Sequence, residues 1–60
     1  MKVKEVLKML KDDGWYKVAQ HGSHMQLKHD TKKGKVTLPD HKGDIPIGTL
    51  YAILKQAGLK

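Results

Sequence analysis

Tyr16-Lys17-Val18-Ala19-Gln20-His21-Gly22-Ser23-His24-Met25-Gln26-Leu27 reads as two alternating runs on either side of a glycine. Alternation with a period of two puts successive side chains on opposite faces of a strand. With His21-Gly22 as the tip of a tight hairpin, Ala19 falls opposite His24 and Val18 opposite Met25, followed by Lys17 opposite Gln26 and Tyr16 opposite Leu27. Tyr16, Val18, Met25 and Leu27 then share one face, while Lys17, Ala19, His24 and Gln26 share the other. A slip of one residue scrambles that segregation, so the pattern itself selects the register.

Outward from the hairpin, Thr31-Lys32-Lys33-Gly34 predicts a turn into a third strand, Lys35-Val36-Thr37-Leu38. Pairing Leu27 with Leu38, His29 with Val36 and Lys28 with Thr37 keeps the apolar face continuous. Pro39 ends that strand because it has no N–H to give to a ladder. Ahead of the hairpin, Val3, Val6, Leu7 and Leu10 recur at helical spacing between Lys2 and Asp13, and Gly14 is a natural stop. Behind it, Asp40 to Ile45 is a polar loop and Pro46 suits a first helical turn. A second stripe then runs through Ile47, Leu50, Ile53, Leu54 and Ala57, closed by Gly58. Gly48 is poor helix material near its start. The order α-β-β-β-α predicts a two-layer α+β domain, with a three-stranded antiparallel sheet covered on one face by two helices. The open face then carries Lys17, His24, Gln26, Lys28, Lys35 and Thr37, with Trp15 at its edge.

Sixty residues, without repeats or linkers, bound the chain to a single domain over 1–60. Its twelve lysines and no arginine, against six acids, give a formal charge of +6. Such a field favours polyanions, and an acidic protein reads it as well as a nucleic acid does. Lysine offers point charges for phosphates, not the bidentate fork used to read base edges, so weak sequence discrimination is expected. No cysteine is present, which excludes disulfides and thiolate metal cages. The amino-terminal residues lack the apolar run of a signal peptide and no segment reaches membrane-spanning length, so a soluble cytoplasmic protein is the expectation.

His24 is the leading candidate for chemistry. Imidazole is the side chain that ordinarily titrates nearest neutrality, and one displayed among lysines is placed to move a proton beside a phosphodiester. Along the strand Gln26 lies roughly 6.5 Å from it and Lys28 roughly 13 Å. Lys28 and Lys17 are suited to hold neighbouring phosphates and to offset charge building on phosphorus. The same pattern also describes a surface histidine with no chemical task. Four histidines invite a zinc site, but the usual ligand spacings are missing, so no metal is expected. His21 flanks the turn, His29 points to the apolar side, and His41 sits in a loop from which it could swing toward the open face. Gly22 and Ser23 either offer backbone donors to an anion or simply make the turn. Asp12 and Asp13 oppose the first helix dipole, which implies solvent or a partner lysine. Trp15 and Tyr16 read as packing residues, with Trp15 also able to stack on a base.

Taken in order, the opening helix, Gly14-Trp15, Gly22-Ser23-His24, Val36-Thr37-Leu38-Pro39 with His41 beyond it, and Gly48-Thr49-Leu50 through Ile53-Leu54-Lys55-Gln56-Ala57-Gly58 resemble the HicA family of toxins. The resemblance spans nearly the whole chain. It implies a fold like a double-stranded-RNA-binding domain and an endoribonuclease that cleaves messenger RNA. It also implies inhibition by an antitoxin of the HicB type. The family's catalytic histidine falls on His24 and its motif glycine on Gly22. Position 25, often a ring-bearing residue in relatives, is Met25 here. The mechanism expected from this is metal-independent: the ribose 2′-hydroxyl attacks its own phosphate, His24 serves as general base or acid, and Gly22, Ser23, Lys17, Lys28 and Lys35 hold RNA. The rival readings are a non-catalytic module that binds A-form RNA through its basic face, and a domain that meets an acidic protein.

Overall fold

The computed structural model of the chain describes residues 1–40 and 42–60. Helix α1 (Val3–Asp12) leads into strands β1 (Trp15–His21), β2 (His24–His29) and β3 (Val36–Pro39), and helix α2 (Ile47–Gln56) follows. The strands form one antiparallel sheet in the order β1-β2-β3. The chain is therefore an α+β domain with the predicted element order. None of its described helices is long and apolar enough to cross a membrane.

Both helices bury most of the stripe expected of them, Ile47 apart. Val3, Val6 and Leu10 of α1 and Ile53 of α2 pack with Met25, Leu27, Val36 and Leu38 of the sheet, so both helices cover the same face. Ala57, just past α2, completes the layer. Glu5 accepts a hydrogen bond from the Lys2 backbone N–H at 3.0 Å, which occupies a donor left free at the start of α1. At the other end of the chain, Gly58 (φ +74°) donates to the Lys55 carbonyl and Leu59 donates to that of Leu54. This is the paired-bond terminator that satisfies the last helical carbonyls. Ile47 departs from its expected stripe. It is the first residue of α2 and is 71% exposed, while Ile45 enters the core from the preceding loop. A bond from the Ile45 N–H to the Met1 carbonyl, 2.8 Å long, holds that loop against the amino terminus.

The hairpin register differs from the predicted one in two ways. The turn is Gly22-Ser23, so His21 pairs with His24, Gln20 with Met25 and Ala19 with Gln26. Only the first of these two turn residues has positive φ (+60° at Gly22), the pattern of a type II′ hairpin turn, and glycine meets that requirement without strain. Moving the tip by one residue shifts every pair by two and leaves each side chain on its predicted face. A bulge at Val18 then adds a shift of one. Lys17 pairs with Leu27, Tyr16 with Lys28 and Trp15 with His29.

A shift of one exchanges the faces. Trp15, expected at the edge of the open face, is therefore only 2% exposed in the core, and the predicted core residues Tyr16 and Val18 are 44% and 48% exposed. Burying the indole removes more apolar surface from water than burying the phenol would. Between β2 and β3 the pairs are Leu27 with Val36, Met25 with Leu38, Gln26 with Thr37 and His24 with Pro39. The predicted pairs of Leu27 with Leu38, His29 with Val36 and Lys28 with Thr37 are again displaced by two, with faces preserved. The connection over 30–35 is wider than a four-residue turn because it wraps around the His29 ring.

That ring organises one end of the sheet. Its Nδ1 accepts the backbone N–H groups of Thr31 and Lys32, each at 3.1 Å, which leaves the ring proton on Nε2. Nε2–H donates to the Asp13 carbonyl at 2.6 Å, and Trp15 meets the ring edge-on at 5.2 Å. Lys32, held in the same loop, donates to the Asp13 carboxylate and, at 3.0 Å, to the Ala57 carbonyl. Asp13 caps α1 and Ala57 caps α2, so one ammonium neutralises the negative ends of both helices.

Candidate active site

The open face of the sheet can be followed row by row from the hairpin tip. His21, His24 and Pro39 form the first row, Ala19, Gln26 and Thr37 the second, and Tyr16 with Lys28 the third. Rows on one face are roughly 6.5 Å apart. His24 is exposed, as predicted for a residue alternating with buried Met25 and Leu27. His21 is exposed beside it. Sequence reasoning placed Ala19 opposite His24 and so missed this second imidazole. The signal was present in the Gly-X form of Gly22-Ser23, which fixes a two-residue turn and makes its flanking residues neighbours.

The tip is braced from behind. Asp40 donates its backbone N–H to the Ser23 carbonyl at 2.6 Å. Gln20 Nε2 donates to the Gly22 carbonyl at 3.1 Å and to Asp40 Oδ2 at 3.2 Å. Lys17 Nζ in turn donates to Gln20 Oε1 at 2.7 Å. The bulge has placed Lys17 opposite buried Leu27, and not opposite Gln26 as predicted, so its ammonium reaches the tip along the sheet edge and through Gln20. A Cβ added to Gly22 would meet nothing within 4 Å. The need for glycine there is one of backbone conformation, not of space.

In the second row, Thr37 Oγ1 donates to Gln26 Oε1 at 3.1 Å. This fixes the orientation of the amide and keeps its two N–H donors for another acceptor. Ala19 beside it leaves open volume above the strand. Lys28 is exposed in the third row, one row beyond Gln26. Beside it, the negative charge of Asp30 raises the Tyr16 phenol above its ordinary value of 10.0. Lys35 is exposed just ahead of β3, in the connection and not on the strand. Gly22, Ser23 and His24 thus gather at the tip, and Lys28 and Lys35 stand toward the far end of the face, whereas Lys17, predicted on this face, pairs with buried Leu27 and meets Gln20 on the reverse side of the bulged strand.

The remaining candidates separate cleanly. His29 lies on the covered side, engaged at both ring nitrogens. Asp13 has the partner lysine that its position called for. The hydrogen bond from Lys32 holds its carboxyl below the ordinary 3.8, with partial desolvation opposing. His41 lies outside the described residues. Among the described residues no three His, Asp or Glu side chains converge to hold a metal ion. A groove lined by Lys2, Val3, Lys4, Asp40, Lys42 and Gly43 sits by the start of α1 and does not include His24.

A family model described as HicA toxin of bacterial toxin-antitoxin matches residues 3–59. The chain belongs to the HicA toxin family. No individual curated protein matches it. Membership makes this HicA-family chain the toxin of a toxin–antitoxin system, with a cognate antitoxin as its partner. The matched span runs from the first residue of α1 to the residue that terminates α2, so it takes in both the sheet face and the braced tip.

Proposed function

We propose that this toxin is an endoribonuclease that cleaves messenger RNA in the cytoplasm, with His24 as a catalytic residue. The observation that carries the reading is an imidazole exposed on the uncovered face of a sheet, at a braced hairpin tip, in a chain of charge +6. The reaction is internal transesterification. The 2′-oxygen loses its proton and bonds to phosphorus, the bond from phosphorus to O5′ breaks, and O5′ gains a proton. His24 takes or gives one of those protons, and the ribose supplies the nucleophile, so the step calls for no metal.

Lys28 along β2 and Lys35 just ahead of β3 hold the polyanion, with Lys17 adding positive charge from the sheet edge, and the N–H groups of Gly22 and Ser23 offer further donors at the tip. The Gln26 amide, one row from His24, is placed to donate to a non-bridging oxygen as charge builds there. A HicB-type antitoxin inhibits by covering this face, which neither helix shields. His24→Ala, an exposed change on a strand, keeps the fold. Cleavage of a defined single-stranded RNA should fall by about a hundredfold to ten-thousandfold. Undiminished cleavage by that variant would remove His24 from the reaction, and binding to RNA with no product from the native chain would replace the nuclease reading with that of an RNA-binding module.

A further inference from the structure

From the pairing at the hairpin tip we propose that His21 is the second acid–base residue of the site, sharing with His24 the two proton transfers of RNA cleavage. This rests on the nuclease reading above and extends it to a residue which that reading does not need. Internal transesterification moves two protons, one off the 2′-oxygen and one onto O5′, at opposite apices of the same phosphorus. A single imidazole is poorly placed to serve both apices at once; two imidazoles side by side can bracket the phosphate.

His21 and His24 are directly opposed across β1 and β2. Residues so opposed share a face and have Cβ atoms about 5 Å apart. Both are exposed, and among the described residues neither has a hydrogen-bond or ion-pair partner for its ring. The surroundings fix their separation. The type II′ turn at Gly22-Ser23 sets the register, and bonds from Gln20 to Gly22 and from Asp40 to Ser23 stop the tip from fraying. The other neighbours in the row and the next are Pro39, Ala19, Gln26 and Thr37, none of them ionisable. The ionisable groups tied to the tip are Asp40, bonded through Gln20, and Lys17, bonded to the same amide. The reaction asks one of the two rings to enter neutral and accept a proton and the other to enter protonated and donate one.

In the reaction, one ring removes the 2′-hydroxyl proton as the bond from O2′ to phosphorus forms. The other delivers its proton to O5′ as the bond from phosphorus to O5′ breaks. The products are a 2′,3′-cyclic phosphate and a 5′-hydroxyl, with the two rings left in exchanged protonation states and no electrons transferred.

The test uses the purified full chain and a short single-stranded RNA with one cleavage site, made with either oxygen or sulfur at the 5′ bridge. A thiolate leaves without a proton, so the sulfur substrate bypasses the acid. His21→Gln and His24→Gln are each expected to slow the oxygen substrate by about a hundredfold or more and to remove one limb of a bell-shaped pH profile. One of the two variants should recover on the sulfur substrate, which identifies it as lacking the acid. Three results overturn the pairing: His21→Gln and His21→Ala that cleave at the native rate, an unchanged bell in either, or a loss on both substrates with both limbs intact. If those His21 results appear while His24→Gln is inactive, the nuclease reading stands without its second histidine. If His24→Gln is fully active, the catalytic role of His24 falls, and if the native chain yields no product from either substrate the nuclease reading itself falls.

Discussion

Gly14→Ala should be among the most damaging single-atom-group changes in this protein, and its cost can be worked out from two independent terms. The first is backbone: Gly14 has φ +103°, well outside what a residue with a Cβ adopts readily, and such strain costs about 1–3 kcal/mol. The second is space. A Cβ at Gly14 would lie 2.6 Å from His29 Nε2, so the ring must move. That ring cannot move freely, because it spans the Asp13 carbonyl on one side and the Thr31 and Lys32 N–H groups on the other. Losing the equivalent of two of those bonds adds about 2 kcal/mol. The sum, about 3–5 kcal/mol, is most of what a domain at the low end of the usual 5–15 kcal/mol possesses.

Gly22→Ala is the control. It also has positive φ (+60°) but nothing within 4 Å of its Cβ, so it bears the strain term alone. Urea titration followed by tryptophan fluorescence reads both, since Trp15 packs on the same ring. Gly14→Ala should lose about 2 kcal/mol more than Gly22→Ala loses and melt about 10 °C lower. Equal midpoints for the two variants would refute the claim that His29 packing, and not backbone alone, dictates the glycine.

Lys32→Met should lower the urea midpoint at neutral pH and flatten its dependence on acid. Because Lys32 holds the Asp13 carboxyl below 3.8, its contribution is present above that pH and disappears as pH falls through the depressed folded value; a native chain no more acid-sensitive than the variant would contradict this. Tyr16 carries the opposite sign. Its phenol keeps its proton in the folded state past 10.0, so stability declines as pH rises through the window above that value, and Asp30→Asn should bring tyrosinate formation to lower pH in an ultraviolet titration. Lys28→Gln should weaken RNA binding with little effect on the chemical step and reduce the slope of log K against log salt by about 0.7, and an unchanged slope would remove Lys28 from the RNA path.

The helical stripes made both helices readable, because an amphipathic spacing of 3.6 has one interpretation when glycine closes it. The β2 faces were readable for the same reason, since Met25 and Leu27 are buried and His24, Gln26 and Lys28 are not, whichever pairing is chosen. The first half of β1 was not readable. Tyr16 and Val18 alternate with Lys17 as plausibly as Trp15 does, and nothing local marks Val18 as the residue left out of the ladder. Only the core decides, by taking the larger ring. At the candidate site, the exposure of His24 was legible from strand parity, whereas its pairing with His21 depended on placing the turn at Gly22-Ser23 and not one residue earlier.

Strand β2 begins at His24 and ends at His29, a span of about 17 Å. Its first histidine faces solvent at the tip, and its last ties the Gly14 turn and the Lys32 loop together. On the proposed reading, architecture and chemistry occupy opposite ends of one strand. A screen for cells that survive the toxin should return two populations of mutants: insoluble or degraded chains altered around Gly14, His29 and Lys32, and abundant, well-behaved but harmless ones altered at the tip. The second group would still titrate the antitoxin.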